Sequence, residues 1–292
     1  MSEICGDGRL PIGRRLAYLL RNTAVNLLQA GIRPRIDRGF PIHLDEAYGA
    51  ASPSRALTDS FLRMRLPQVI PLGPIRVLEI GCGSGSLCRK LAAIGYTGSY
   101  TGIDIHDRFN HEAIPGFSRQ FIYDDAHRFD PGESRFDLIV SISALEHIPA
   151  DIKLISRLPD WLAPNGREIH FLPSGWALLT YLWHGWRQYP LRSIGKRFGH
   201  EAVAAPLGGL ASTSLHFAFI TAGELLLPLK ARKRWPALYA SLRDRCLRLD
   251  RYVPCCPTMY VVRRESPGQK ENKTGENRAE LHIRGSDQNG VR

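Results

Sequence analysis

The chain predicts an α/β fold on a parallel sheet wound on both faces, and three observations carry that prediction. Short apolar runs alternate with segments of helical spacing from residue 76 to residue 172. The first run passes directly into a glycine turn, Glu79-Ile80-Gly81-Cys82-Gly83-Ser84-Gly85, that opens a helix. The first, second and fourth runs end in Glu79, Asp104 and Ser143, so polar chemistry collects at the C-terminal ends of strands, where such sheets bind ligands.

Taken in order, residues 14–30 carry Leu16, Leu19, Leu20, Ala24, Leu27 and Leu28 at helical spacing, and Gly31 and Pro34 stop the helix. It is amphipathic and does not read as membrane-spanning. Ser52 and Pro53 start a second helix that buries Leu57, Phe61 and Leu62. Strands are expected near 76–80, 99–103, 120–123, 137–142 and 167–172, with helices near 86–95, 107–113 and 151–162. Residues 176–186, WALLTYLWHGW, are apolar and aromatic but about half the roughly 20 residues a bilayer span needs. Pro236 opens a helix with Leu238, Leu242 and Leu249 as its apolar face, and 258–264 reads as a closing strand. Leu215 to Ile220 is the candidate for a sixth strand. From Glu265 on the chain is polar with little to bury, which predicts disorder. The expected division is an N-terminal helical extension at 1–52, a core at 53–174, an acceptor-side insertion with closing helix and strand at 175–264, and a tail at 265–292.

The glycine turn sets the chemistry. Without Cβ atoms, Gly81, Gly83 and Gly85 let the loop take φ > 0 and let a ligand lie against the backbone at the helix N-terminus. A dinucleotide fingerprint would be G-x-G-x-x-G, but here the third glycine comes one residue early. Glu79 beside the turn would repel a pyrophosphate and suits the ammonium and sulfonium charges of S-adenosylmethionine. Asp104, ending the next strand, is placed to accept both ribose hydroxyls. The blander readings are a tight strand-to-helix turn and a helix-capping Asp104.

At these residues the chain resembles the class I S-adenosylmethionine-dependent methyltransferases. FIYDDAHRFD at 121–130 resembles their third-strand motif, which implies that Asp125 takes the adenine amino group and the Ala126 N–H a ring nitrogen; Asp124 could serve instead. FDLIVSISALEHI at 136–148 is similar to the fourth strand and its turn, with the Leu-Glu-His ending common in the small-molecule, type 11 branch. LAPNGREIHFLPS at 162–174 resembles the fifth-strand segment, with Asn165 for a usual glycine; Asn tolerates the left-handed region. The resemblance covers roughly 53–174. It implies a Rossmann-like seven-stranded sheet with N-terminal helices and a C-terminal acceptor-side elaboration. The implied cofactor is S-adenosyl-L-methionine, held by Glu79, Gly81, Cys82, Gly83, Gly85, Asp104, Ile105, Asp125, Ala126 and Ser143.

Methyl transfer asks little of the protein beyond positioning, exclusion of water and, for a hydroxyl acceptor, a base. His147 is the candidate base; its alternative is a first-turn residue paired with a backbone group. Glu146 and His147 also resemble part of the metal-assisted site of quinone-biosynthesis O-methyltransferases. That pattern has a further Glu where this chain has Ser143, so no metal is expected.

Composition bounds the rest. At 292 residues and 43% hydrophobic the chain can bury one elaborated α/β domain. Its six cysteines show no C-x-x-C pair, and Met1 to Leu10 is no signal peptide, so a reducing cytoplasm is the expected compartment. Charge is concentrated: from Arg187 to Arg264 there are 14 Lys or Arg against Glu201, Glu224, Asp244 and Asp250, a net of +10 out of +11. One reading is a solvated helix face. The other is peripheral contact with an anionic membrane at its inner face, through this basic region, Arg14, Arg15 and the interfacial aromatics Trp176, Tyr181, Trp183, Trp186 and Tyr189. No Asn/Asp-Pro-Pro-aromatic motif follows the fourth strand, which disfavours nucleic-acid bases as acceptors. His170 through Trp176 resembles bacterial methyltransferases of polysaccharide or lipid-linked glycan assembly. The sequence therefore predicts a methyltransferase of a small molecule or a lipid-linked or cell-surface sugar, acting on oxygen. Its rivals are a nucleic-acid or ribosome-associated methyltransferase and a noncatalytic cofactor-binding module at an anionic membrane.

Overall fold

The structure of the chain is a computed structural model that describes residues 4–8, 10–29, 31–37, 48–227 and 229–265. Helix α1 (Ile12–Leu27), the two-residue strand β1 (Arg35–Ile36) and helix α2 (Pro53–Val69) precede β2 (Pro74–Ile80). Ser52 caps α2, its hydroxyl accepting from the Arg55 N–H at 3.3 Å, and Leu57, Phe61 and Leu62 are buried as the sequence predicts. Then come α3 (Ser86–Ile94), β3 (Thr97–Asp104), β4 (Phe117–Tyr123), β5 (Phe136–Ile142), α4 (Asp151–Ile155) and β6 (Leu162–Pro173). After β6 come α5 (Ala177–Tyr181), α6 (Leu191–Phe198), β7 (Val203–Leu207), α7 (Leu210–His216), a π-helical stretch Phe217–Leu226, α8 (Ala231–Arg234) and α9 (Pro236–Leu249). Strand β8 (Met259–Glu265) closes the sheet.

The sheet has eight strands in the order β1-β7-β8-β6-β5-β2-β3-β4, parallel except for β8, which runs antiparallel between β6 and β7. Successive residues supply opposite faces, as a strand buried on both sides requires. Val77, Leu138 and Val261 join the cluster under α2 and α3, whereas Leu78, Ile139 and Val262 join the one that holds Leu154 of α4 and Ile194 of α6. This is the doubly wound Rossmann-like arrangement that the sequence predicts, with β1 added as an eighth strand.

Four expectations are corrected. The sixth-strand candidate Leu215 to Ile220 is helical, and the strand is β7. Ala202 and Ala204 give their carbonyls to the β1 segment (Arg35 N–H at 3.2 Å, Asp37 N–H at 3.0 Å), and the registered pairing with β1 ends at Ala204. Pro206 comes next along that edge of β7 and has no N–H to extend the ladder. Residues 107–113 form no helix: the Asn110 side chain takes the Glu112 N–H at 2.9 Å, Arg119 holds the Asn110 carbonyl at 2.7 Å, and Phe109 stacks on Phe121 at 4.8 Å. Side chain–backbone bonds of this kind compete with helix. The helix expected over 151–162 stops at Ile155, and a 3₁₀ turn, Leu158–Trp161, follows around Pro159. Finally, α9 buries Tyr239, Arg243 and Leu247, leaving Leu238 and Leu249 exposed; Arg243 donates to the Gly49 carbonyl at 2.7 Å and pairs with Asp244. Glu265 ends β8, and the rest of the tail lies outside the described residues.

Candidate functional site

Strands β2, β3, β4 and β5 lie side by side, so their C-terminal ends bring the predicted cofactor residues into one row. Gly81, Gly83 and Gly85 all hold positive φ, at 69°, 53° and 75°. A Cβ on Gly81 would sit 2.4 Å from the Ala144 Cβ, which lets the loop nest against the turn after β5; at Gly83 nothing lies within 4 Å, so that side is open. Asp104 braces the loop, its Oδ2 accepting the Gly83 N–H at 2.8 Å and its Oδ1 the His106 N–H at 2.9 Å. Each oxygen keeps a second lone pair for a hydroxyl. The Asp124 N–H donates to the Asp104 carbonyl at 3.2 Å, so the third strand end is tied to the second. Asp125 accepts the His127 N–H at 2.9 Å and is half-buried, as is Asp124; Ala126 is buried beside Ile103 and Ile122. Ile105 and Ser143 are exposed, Ser143 at φ 48°. An open glycine turn with a carboxylate at the neighbouring strand end fits S-adenosylmethionine.

Two members of the predicted set sit under the loop. Glu79 is buried, accepts from the Tyr100 hydroxyl, and burial raises its pKa to about 8, so it is largely protonated at neutral pH. Cys82 is buried against Gly102 and burial pushes its thiol far up, which makes it a packing residue rather than a reactive one. Lys90, on α3, pairs with Asp59 of α2 and fixes the helix behind the loop.

Beyond this row, His147 follows β5 in a short 3₁₀ turn, Leu145–His147. Its Nδ1 lies 2.7 Å from Asp7 Oδ2, 140 residues away in sequence. Asp7 also takes the Gly185 N–H at 2.9 Å, and Gly6 donates to the Gly185 carbonyl at 2.7 Å, so residues 4–8 are stitched to the loop after α5. Gly185 sits at φ 64° with the Glu146 carbonyl 2.7 Å from where a Cβ would be; a side chain has no room. His184 packs edge-on to His147 at 4.5 Å and stacks on Tyr181 at 5.3 Å. Glu146 is fully buried, neither carboxylate oxygen has a hydrogen bond, and Oε1 lies 3.9 Å from the Nε2 of both His147 and His184.

Electrostatics separates these groups. Burial opposes charge on each of them, but Asp7 and Glu146 together hold the His147 pKa above its ordinary 6.5, while Asp7, bonded to His147 and Gly185, falls well below the carboxylate range. Burial lifts Glu146 to about 7 and, with repulsion from His147, drops His184 to about 4. Single ligand atoms of Asp7, His147 and His184 lie within 4.8 Å of one another, so the trio has the donors for a divalent cation. Asp7 and His184 carried no signal in the sequence: both lie outside the four strand-end motifs.

A family described as "Methyltransferase domain" matches residues 51–200. The chain is 27% identical over 137 residues to a ubiquinone biosynthesis O-methyltransferase of Bradyrhizobium diazoefficiens, covering 44% of this chain and 47% of that protein. It is 31% identical over 127 residues to a trans-aconitate 2-methyltransferase of Streptomyces avermitilis, covering 41% and 46%. Among solved structures it is similar to the magnesium protoporphyrin IX methyltransferase of Synechocystis with bound S-adenosylhomocysteine, at 22% identity, a TM-score of 0.42, and 52% and 74% coverage. The chain spans about half the length of the curated relatives it matches. The family match takes in just over half of the chain and every strand-end residue of the cofactor row, and the chain belongs to the class I S-adenosylmethionine-dependent methyltransferases.

Proposed function

We propose that the protein moves a methyl group from S-adenosylmethionine to a hydroxyl oxygen of a small-molecule acceptor, with His147 as the base. The bound cofactor supplies an electrophilic methyl carbon. Asp104 would hold the ribose, Asp125 and the Ala126 N–H the adenine, and Gly81, Gly83, Gly85, Ile105 and Ser143 the walls, with Glu79 and Cys82 supporting the loop from below. We read 53–174 as the cofactor core, with 1–52 and 175–264 shaping the acceptor side. The names of the relatives support a small-molecule acceptor, and one is named for transfer to oxygen. A lipid-linked or cell-surface sugar is the finer reading, supported by the likeness at 170–176.

One observation carries the role of His147: the 2.7 Å contact between its Nδ1 and Asp7. A carboxylate at Nδ1 fixes the proton there, orients the ring and leaves a lone pair on Nε2 for a hydroxyl proton. The imidazolium formed is stabilised by Asp7 and by Glu146, whose carboxylate lies 3.9 Å from Nε2. Half-burial of the ring keeps the attacking oxygen partly dry.

The test follows labelled methyl from the cofactor into products of a cell extract. His147→Ala should lower turnover about 100-fold while leaving cofactor affinity unchanged. Unchanged turnover would return His147 to a structural role. The clustering of Asp7, His147 and His184 favours a second reading, a bound divalent cation. Turnover that survives a chelator supports the base, and loss restored by added cation supports the metal.

A further inference from the structure

Helix α1 is docked with its polar side inward. Its fully buried side chains are Tyr18 and Asn22, and hydrogen bonds tie it to the rest of the protein. The Tyr18 hydroxyl donates to the His184 carbonyl at 2.7 Å and accepts from Gln188 at 3.0 Å, while Asn26 donates to the Gly175 carbonyl at 3.3 Å. The apolar stripe therefore faces away from the protein. Ile12, Leu16, Leu20 and Leu27, at i, i+4, i+8 and i+15, are 84%, 57%, 62% and 77% exposed. Isolated exposed leucines are ordinary, but an aligned row on one helix marks an interaction surface.

The stripe continues into a cleft of about 370 Å³ where α1 meets the loop before α5. Leu27, Trp176 and Leu179 give it apolar walls, and the exposed Arg33 and Arg192 give it charge. The helix itself carries Arg14, Arg15 and Arg21 and no acid. Arg15 lies over the Trp183 ring at 4.6 Å, a pairing of charge and amphipathic aromatic suited to a headgroup layer.

We propose that α1 and the adjoining cleft form a docking surface for an anionic lipid bilayer. The charge selects this occupant over a second copy of the chain: an isologous contact would bring the arginines of two copies together, whereas an anionic surface attracts Arg14 and Arg15 of the helix and Arg33 and Arg192 of the cleft. At 16 residues the helix is too short to span and lies in the interface plane, its leucines entering the acyl boundary. No described helix is long and apolar enough to cross a membrane. Its test reads vesicle binding and not turnover, so its failure is distinguishable from failure of the chemistry proposed for His147.

Cosedimentation of the full chain with phosphatidylglycerol–phosphatidylcholine vesicles and with phosphatidylcholine vesicles tests it. The wild type should partition onto the anionic vesicles, more weakly at high salt, and hardly at all onto neutral ones. Leu16→Ser with Leu20→Ser should weaken that partitioning about tenfold or more, as should Arg14→Gln with Arg21→Gln at low salt. The two leucines are exposed, so an unchanged melting temperature checks that the variant is folded. Wild type that stays in solution with both vesicle types overturns the proposal, as does a leucine variant that binds like wild type. Sedimentation velocity showing a dimer that Leu16→Ser dissolves would assign the face to a second copy and also overturn it.

Discussion

The two sides of the site are held by different means. On the cofactor side the shape is made by backbone: three glycines at positive φ, and Asp104 accepting two backbone N–H groups from the loop and the following turn. On the proposed acceptor side it depends on side chains that reach across distant parts of the chain, Asp7 to the His147 imidazole across 140 residues and Tyr18 to the His184 carbonyl across 166. A backbone-built site keeps its shape when one side chain changes and loses a ligand contact; a side chain-built site loses its arrangement. Substitutions on the cofactor side should therefore change affinity with little change in pH behaviour, and those on the acceptor side should change pH behaviour with little change in affinity.

The largest effect is expected at Asp104. Each of its oxygens already accepts one backbone N–H and keeps a lone pair for a hydroxyl, so on the proposed reading Asp104→Ala would remove two charge-assisted bonds to the ribose. Cofactor binding should weaken by roughly 2 to 4 kcal/mol, about 30- to 1000-fold, in a calorimetric titration with S-adenosylhomocysteine. A variant that binds like wild type would show that Asp104 serves the loop alone, which would erase the contrast between the two sides.

That contrast also explains what the sequence could and could not reveal. Strands β2 to β6 and the glycine turn declare themselves locally, through alternation, apolar runs and a Gly spacing that only a tight turn requires. The cofactor row follows because topology puts the ends of adjacent strands together. Asp7 and His184 join the site through the pairing of Gly6 with Gly185, a long-range contact with no periodic signature. Helix α1 shows the same limit: its spacing declares an amphipathic helix, but which side docks depends on partners such as His184 and Gln188 that lie far along the chain. The 107–113 segment failed for the opposite reason, since Arg119 and Phe121 of the next strand overrule its local preference.

A smaller effect is expected at Glu79, beneath the loop. Its folded pKa of about 8 lies above the unfolded value of 4.5, so between these limits the folded state binds more protons than the unfolded state. Its contribution to stability is fully present below about pH 4.5 and is lost as pH rises toward 8. Glu79→Gln keeps the size and removes the titration. Relative to wild type, the variant should gain stability over that window, by at most about 1.4 kcal/mol per pH unit, in urea unfolding at several pH values. A difference that stays flat with pH would mean that Glu79 is ionised in the folded protein, facing charge from above as a ligand-side carboxylate.

The smallest effect, and the one that isolates the acceptor side, is expected from Asp7→Asn. His147 is faced by Asp7 from the N-terminal segment, by Glu146 in its own turn and by His184 after α5, and the two carboxylates keep its pKa above 6.5. As a base it must be neutral, so turnover of the wild type should rise with pH through that raised value. Removing the Asp7 charge lets burial pull the pKa down, and the rising limb should move to lower pH. The plateau should fall about tenfold, because an amide at Nδ1 no longer fixes the tautomer that leaves Nε2 free. The pair also contributes to stability in a bounded window. The depressed Asp7 adds stability above about pH 3.8 that is lost as pH falls through its folded pKa, and the raised His147 adds stability below pH 6.5 that is lost as pH rises through its own. Cofactor affinity should not change. A limb that stays in place after Asp7→Asn would show that His147 is not the titrating base, even if the variant is slow; a limb that shifts together with a loss of cofactor binding would show that the two sides of the site are one mechanical unit.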